Sequence, residues 1–325
     1  MRERVRRRAP GLLVLVLVAA VAVAATRAAG VGSPLLLAVA LGALAANALP
    51  TPARFAPGLA LHGRFLEAGI VALGATLGLG ALAAVGPLLL ALVAAVVALS
   101  VLVTELGARV AGLSRESGSL LAAGASVCGV SAVAAVAGSI DAAEERVAYA
   151  AATVLVFDAV TLAAFPLLGH ALALTPREFG VWAGLAMFST GPVTAAGFTY
   201  GSVAGQWATV TKLVRNTAIG VLALAYAVVH ADADRPARAL TTGIPGFLVG
   251  FVALAALAAT GVLPAPVASG FGALSEACFL LAFAGLGFDL RLNALRDAGL
   301  RPVLVVAATL LVVGTLSLVA VTALL

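Results

Sequence analysis

Apolar runs of eighteen or more residues recur from Gly11 to the C-terminus, separated by short stretches of turn-forming and charged residues. Each run is long enough to cross a hydrocarbon core of about 30 Å as a helix. This punctuation divides the chain into eleven apolar segments, roughly 11–29, 33–49, 65–85, 87–107, 117–138, 146–169, 179–200, 206–229, 243–263, 268–289 and 302–324. Runs such as 88–102 are apolar on every face, whereas a strand of an outer-membrane barrel alternates apolar and polar residues over roughly ten positions. The pattern therefore predicts an all-α polytopic membrane protein of about eleven transmembrane helices, organised as one transmembrane domain over 1–325.

Composition agrees with the pattern. Charged residues make up 10% of the chain, hydrophobic residues 63%, and the mean hydropathy is +1.16. A soluble domain carries roughly a quarter charged residues, so the lipid bilayer is the solvent of most of this surface. The longest polar connections, 50–64 and 230–242, are too short to bury a core of their own. A net charge of +5 and a pI near 10 raise the question of nucleic acid, but the positive residues sit in caps between apolar segments, as the positive-inside rule requires, and no nucleic-acid partner is expected. With a basic cytoplasmic N-terminus over 1–10, the inner loops hold Arg54, Arg64, Arg109, Arg115, Arg177, Arg235, Arg238, Arg291, Arg296 and Arg301, against Arg27 and Arg146 outside. This orientation implies a multi-pass protein of the cell membrane. The start, Met1-Arg2-Glu3-Arg4-Val5-Arg6-Arg7-Arg8, is like that of a signal peptide, with Ala22, Ala24 and Ala25 mimicking a cleavage site; because many spans follow, 11–29 reads as a retained, extra first helix. Cys128 and Cys278 lie inside predicted spans, which argues against a disulfide, and no zinc or other cofactor motif appears.

Two internal similarities suggest duplication. Residues 73–86 match 286–299 at seven of fourteen positions, and an odd number of crossings between them makes them antiparallel, the signature of an inverted repeat. A second similarity joins Ala123-Gly124…Ser131-Ala132-Val133-Ala134-Ala135 to Ala183-Gly184…Gly191-Pro192-Val193-Thr194-Ala195. These stretches lie in segments 117–138 and 179–200, which read as crossing, interrupted helices rather than re-entrant hairpins.

The candidate chemistry sits at those interruptions. Gly124, Ser126, Cys128, Gly129 and Ser131 crowd the middle of an apolar segment, where Gly costs about 1 kcal/mol against Ala in a helix and Ser competes for backbone partners. In the second segment Ser189, Thr190, Gly191, Pro192 and Thr194 combine hydroxyls with a residue that removes a donor and clashes with the preceding turn. Close packing through small residues is the plain reading of either stretch; two such stretches together point to a transporter site, with unwound backbone exposed to a solute in mid-membrane. Lys212, the chain's lysine, and Arg215 share a helix face three residues apart. Charges there either snorkel to an interface or face a polar site; beside two half-helix N-termini they argue for an anion. Asp158, near the centre of its segment, reads as an ion-pair partner of Lys212 or Arg215 or as a proton carrier. His62, His170 and His230 read as solvated, Glu67, Glu105, Glu276 and Asp289 as interfacial, and Trp182, Trp207, Tyr149 and Tyr200 as interfacial belts.

At these motifs the chain resembles a family of prokaryotic membrane proteins labelled sulfate exporters, the YeiH family. The resemblance rests on Leu66-Glu-Ala-Gly-Ile-Val-Ala-Leu-Gly-Ala75, on residues 122–136 from Ala122-Ala-Gly-Ala-Ser-Val-Cys-Gly-Val-Ser131 onward, on Phe179-Gly-Val-Trp-Ala-Gly184 and on Ala208-Thr-Val-Thr-Lys-Leu-Val-Arg215. The family is similar to the wider cation:proton antiporter and bile-acid symporter group, which implies two inverted five-helix units, a core of crossed interrupted helices and a panel domain. In one place the chain departs from it: where the family shows His-Asp-Thr-Ala-Gln-Val, this chain has Phe188-Ser189-Thr190-Gly191-Pro192-Val193. The titratable pair is missing, and Asp158 is the residue that would compensate in proton coupling.

The expectation from sequence is a secondary transporter of a small anion, not an enzyme, since no catalytic or nucleotide motif appears; a homodimer is compatible with it. Ser126, Cys128, Gly129, Ser131 and Ser189 through Thr194 would form the site, with Lys212 and Arg215 supplying positive charge. The alternative is a sodium-coupled organic-solute symporter, in which carbonyls at the breaks bind the cation.

Overall fold

In a computed structural model of the chain, residues 2–29, 33–49, 52–76, 86–230, 246–290 and 299–325 are described, without side chains at 2–5 and 265. Their regular structure is helical: α1 (Arg2–Ala29), α2 (Pro34–Ala48), the short α3 (Ala56–Leu59), α4 (His62–Gly74), α5 (Pro87–Val110), α6 (Arg115–Ala123), α7 (Val130–Ile140), α8 (Glu144–Ala171), α9 (Pro176–Ala186), α10 (Thr190–Tyr200), α11 (Ser202–Asn216), α12 (Ala218–His230), α13 (Gly246–Ala259), α14 (Ala265–Asp289) and α15 (Leu300–Leu324). Among the described residues, six stretches are long and apolar enough to cross a membrane: Arg6–Ala29, Pro87–Val110, Glu144–Ala171, Ser202–His230, Pro266–Asp289 and Leu300–Leu324. Side chains start several helices at the predicted punctuation. Ser33 caps α2 ahead of Pro34, Ser114 caps α6, and Thr175 with Glu178 forms a reciprocal capping box on α9. The hydrogen bonds from the Thr175 side chain and backbone hold the Glu178 carboxyl below the usual carboxylate range.

The chain divides into two compact units. One holds α1–α4, α13 and α14. Within it α14 lies against α2 at very short range, since a Cβ on Gly42 would come within 2.3 Å of the Ala284 carbonyl oxygen. Asn47 ties the end of α2 to the Leu290 carbonyl, 2.8 Å away. His62, expected in solvent, instead sits between the Leu59 carbonyl at 3.0 Å and Asp289 at 3.1 Å. The match between 73–86 and 286–299 lies largely outside the described residues, which omit 77–85 and 291–298.

The other unit holds α5–α12 and α15. Here Trp182 is buried rather than interfacial: its indole N–H donates to the Gly314 carbonyl at 2.9 Å, and its ring stacks on Phe165. At one end the Ser119 hydroxyl donates to Glu105 and pairs with His230 Nε2, both at 3.0 Å, joining α5, α6 and α12. His230 and Glu105 are thus engaged, against the expectation of simple solvation. Glu116 accepts from the Ala143 N–H and pairs with Arg146, which closes the far end of α7 onto the start of α6.

Candidate functional site

Both candidate stretches break their helices, and the breaks touch. The helix begun by α6 widens into a π turn over Gly124–Cys128, closed by a bond of 3.0 Å from the Gly129 N–H to the Gly124 carbonyl. The chain then reverses locally at Gly129, φ 58° and ψ −134°, and α7 starts. π turns inside α-helices often mark functional sites, and this backbone conformation is open to glycine alone among ordinary residues. In the second stretch α9 ends at Ala186, Met187 and Ser189 are extended, and α10 starts at Thr190. Pro192 falls in the first turn of α10, where its missing N–H costs nothing. The expectation that Pro192 itself interrupts the segment is therefore corrected, because the unwound residues precede it. The helices α7 and α10 begin and end at positions that the Ala-Gly similarity pairs, so Gly129 and Ser189 are counterparts, and they are also the point of contact. A Cβ on Gly129 would lie 1.9 Å from the Ser189 hydroxyl.

Helix α11 brings in the cations. It lies close to both α9 and α10 through glycines: a Cβ at Gly184 would meet Thr211 at 2.6 Å, and one at Gly197 would meet Ala208 at 2.8 Å. Lys212 and Arg215, both 0% exposed, consequently end at the breaks. Lys212 Nζ donates to the carbonyls of Val127 at 2.6 Å and Met187 at 3.0 Å. Arg215 donates through Nε to Ser126 at 2.6 Å, through Nη1 to Leu185 at 2.6 Å and Met187 at 2.9 Å, and through Nη2 to Ala125 at 2.5 Å. These are the carbonyls a helix leaves unpaired at its C-terminal end, where its dipole is negative. The two cations thus cap the C-terminal ends of both first half-helices and hold them together.

Three expectations change with this geometry. Lys212 and Arg215 do not pair with Asp158, because their donors are directed at carbonyls; nor do they snorkel, being buried. Ser126 contributes its carbonyl, while its hydroxyl turns back to the Ala123 carbonyl at 3.4 Å. Five carbonyls at the breaks, those of Ala125, Ser126, Val127, Leu185 and Met187, accept from the cations and so are taken from the set that would coordinate sodium in the alternative reading.

The opposite ends of the break are unfilled. At the start of α7 the N–H groups of Val130 and Ser131, and at the start of α10 those of Thr190 and Gly191, have no acceptor among the described residues. Ser131 is exposed and Val130 and Ser189 half-buried, whereas Thr190 and Gly191 are buried, so the α7 end of the contact is the more open one. Asp158, 1% exposed, approaches from α8: its Oδ1 accepts the Ser189 N–H at 3.1 Å, and its Oδ2 has no partner. Thr190 Oγ1 lies 3.2 Å from Cys128 Sγ and accepts from Asn216 Nδ2 at 3.1 Å, which leaves Asn216 Oδ1 unpaired. Thr194 pairs with Thr209 of α11 at 3.3 Å and so serves the packing of α10 rather than the open face. Asn216 is the site residue that the sequence reading passes over, although it directly follows Arg215 at the end of α11.

The fold and this arrangement define a helical, multi-pass membrane protein with a polar core at two broken helices. The chain belongs to the family described as conserved hypothetical protein 698, whose model matches residues 10–306. It is 31% identical over 315 residues to a UPF0324 membrane protein of Agrobacterium fabrum, covering 95% of this chain and 91% of the relative. It is 34% identical over 276 residues to one of Nitratidesulfovibrio vulgaris, covering 82% and 77%. With the UPF0324 membrane protein TauZ of Paracoccus denitrificans it shares 32% over 285 residues, covering 85% and 84%. No solved structure matches the chain.

Proposed function

We propose that the protein is a secondary transporter of a small anion, working by alternating access in the cell membrane with its site at the paired breaks. The observation that carries this reading is the division of the two helix dipoles. Buried cations neutralise the negative ends of the first half-helices, while the starts of α7 and α10 meet at Gly129 and Ser189 and carry N–H groups with no acceptor among the described residues. Backbone N–H groups at helix N-termini are a general anion-binding device, and broken helices pointing such ends at a solute are the usual build of a transporter site. The reading takes the chain to cross eleven times from a cytoplasmic N-terminus, as inverted halves, in keeping with the arginine distribution. The driving force is an ion or substrate gradient, and Asp158 is the coupling candidate.

Ser131→Asp tests the site. At the second position of α7 a carboxylate suits the helix dipole, so the fold is expected to keep its melting temperature while the tethered charge takes the anion's place. Anion flux into proteoliposomes is expected to fall at least about tenfold, the equivalent of 1.4 kcal/mol, whereas Ser131→Asn retains most of it. Full flux in a well-folded Ser131→Asp protein would sink the reading. Sodium-dependent uptake of an organic solute with no anion flux would favour the symporter instead.

A further inference from the structure

We infer that the anion is a hydrogen oxyanion, singly charged and still carrying its own proton, and that Asp158 selects it over a fully deprotonated dianion such as sulfate. This deepens the anion-transporter reading and rests on it.

Two observations in the core, the buried charges and the unpaired acceptors beside the helix ends, lead there. The first is charge. Among the described residues the buried cations are Lys212 and Arg215 and the buried acid is Asp158. Two positive charges less one negative leave one positive charge in excess. The half-helix dipoles do not alter that sum, since each contributes equal and opposite ends. A charge left uncompensated in low dielectric is costly, and one monoanion at the N-termini removes the excess, whereas a dianion overshoots it.

The second observation is hydrogen bonding. The N–H groups of Val130, Ser131, Thr190 and Gly191 can only donate, and they suit the oxygens of any anion. Asp158 Oδ2 is buried without a partner, on the same carboxylate whose Oδ1 is 3.1 Å from the Ser189 N–H at the start of α10. Asn216, 2% exposed, supplies a second unpaired acceptor in its buried Oδ1, on the side chain that holds Thr190. A fully deprotonated anion offers no hydrogen to either acceptor and would place its oxygens against a carboxylate oxygen. A hydrogen oxyanion donates its O–H to Asp158 Oδ2 and accepts the four N–H groups with its remaining oxygens. Sites built to bond a substrate hydrogen reject analogues that lack it, because their own buried groups are then left unpaired.

The test measures binding by thermal shift and calorimetry, and uptake into proteoliposomes, with four probes at neutral pH: hydrogen carbonate, phosphate, nitrate and sulfate. Nitrate matches the single charge without a donor, and sulfate is a dianion without one. The wild-type protein is expected to bind hydrogen carbonate or phosphate at least about tenfold more tightly than both nitrate and sulfate, the loss expected for one unmade hydrogen bond to a charged group. Which of the two leads distinguishes a planar from a tetrahedral substrate. Asp158→Asn keeps an acceptor for the Ser189 N–H but raises the excess charge by one and exchanges acceptor for donor, so it is expected to move the ratio at least about tenfold toward sulfate. Equal wild-type affinity for sulfate or nitrate overturns the inference and leaves the anion reading in place. So does a preference that Asp158→Asn does not change, because the carboxylate is then not its source. Binding of none of the four probes overturns both.

Discussion

Arg215→Met is expected to yield little folded protein, and what does fold should melt far below the wild type. The substitution keeps a long apolar side chain on α11 but leaves the carbonyls of Ala125, Ser126 and Leu185 without their donor, while Met187 retains Lys212. A buried carbonyl left unpaired costs about 1–3 kcal/mol, so three of them approach the 5–15 kcal/mol that holds an ordinary fold together. Arg215→Lys should recover only part of the loss, since an ammonium cannot reproduce the guanidinium fork that reaches both broken helices. Size-exclusion profiles and melting curves in detergent check the order wild type, Arg215→Lys, Arg215→Met. A methionine variant as stable as the wild type would show that the half-helices do not depend on this cap.

Gly129→Ala carries the second large effect, for two separable reasons. At φ 58° and ψ −134° an L side chain is strained, a cost of order 1–3 kcal/mol. The new Cβ would also fall 1.9 Å from the Ser189 hydroxyl and 3.0 Å from its Cβ. The single variant is expected to lose flux and to fold poorly. Adding Ser189→Gly clears the clash but not the strain, so the double variant should recover part of the yield and melting temperature without reaching the wild type. Additive losses in the double variant would place the two breaks apart.

Much of the helical architecture was legible in the sequence, because a bilayer permits few ways of satisfying backbone polar groups and the apolar runs mark them directly. The regions of the breaks were legible for a related reason: glycine, serine and proline in mid-segment have few uses in lipid. The exact unwound residues were not. Pro192 draws attention as a helix breaker, yet a proline in a first turn is compatible with a helix that starts just before it, and only the extended Met187 and Ser189 decide between the two. Roles were hardest to read. A lysine, an arginine and an aspartate buried in one core look like an ion-pair network, but the carbonyls that accept from Lys212 and Arg215 belong to every residue type and leave no mark in the sequence. Trp182 likewise looks interfacial by composition, and its partner is a backbone oxygen 132 residues away.

The cap on the two first half-helices also bears on kinetics. Lys212 and Arg215 are tied by six bonds to backbone groups, so the field at the open ends of α7 and α10 is set before any solute arrives. A charged side chain that had to swing onto its ligand would lose rotamer freedom with every binding event; here that ordering is complete once the chain has folded. On the transporter reading, loading and unloading of these ends then need no rearrangement of the two cations, and the binding step carries no cost for ordering them.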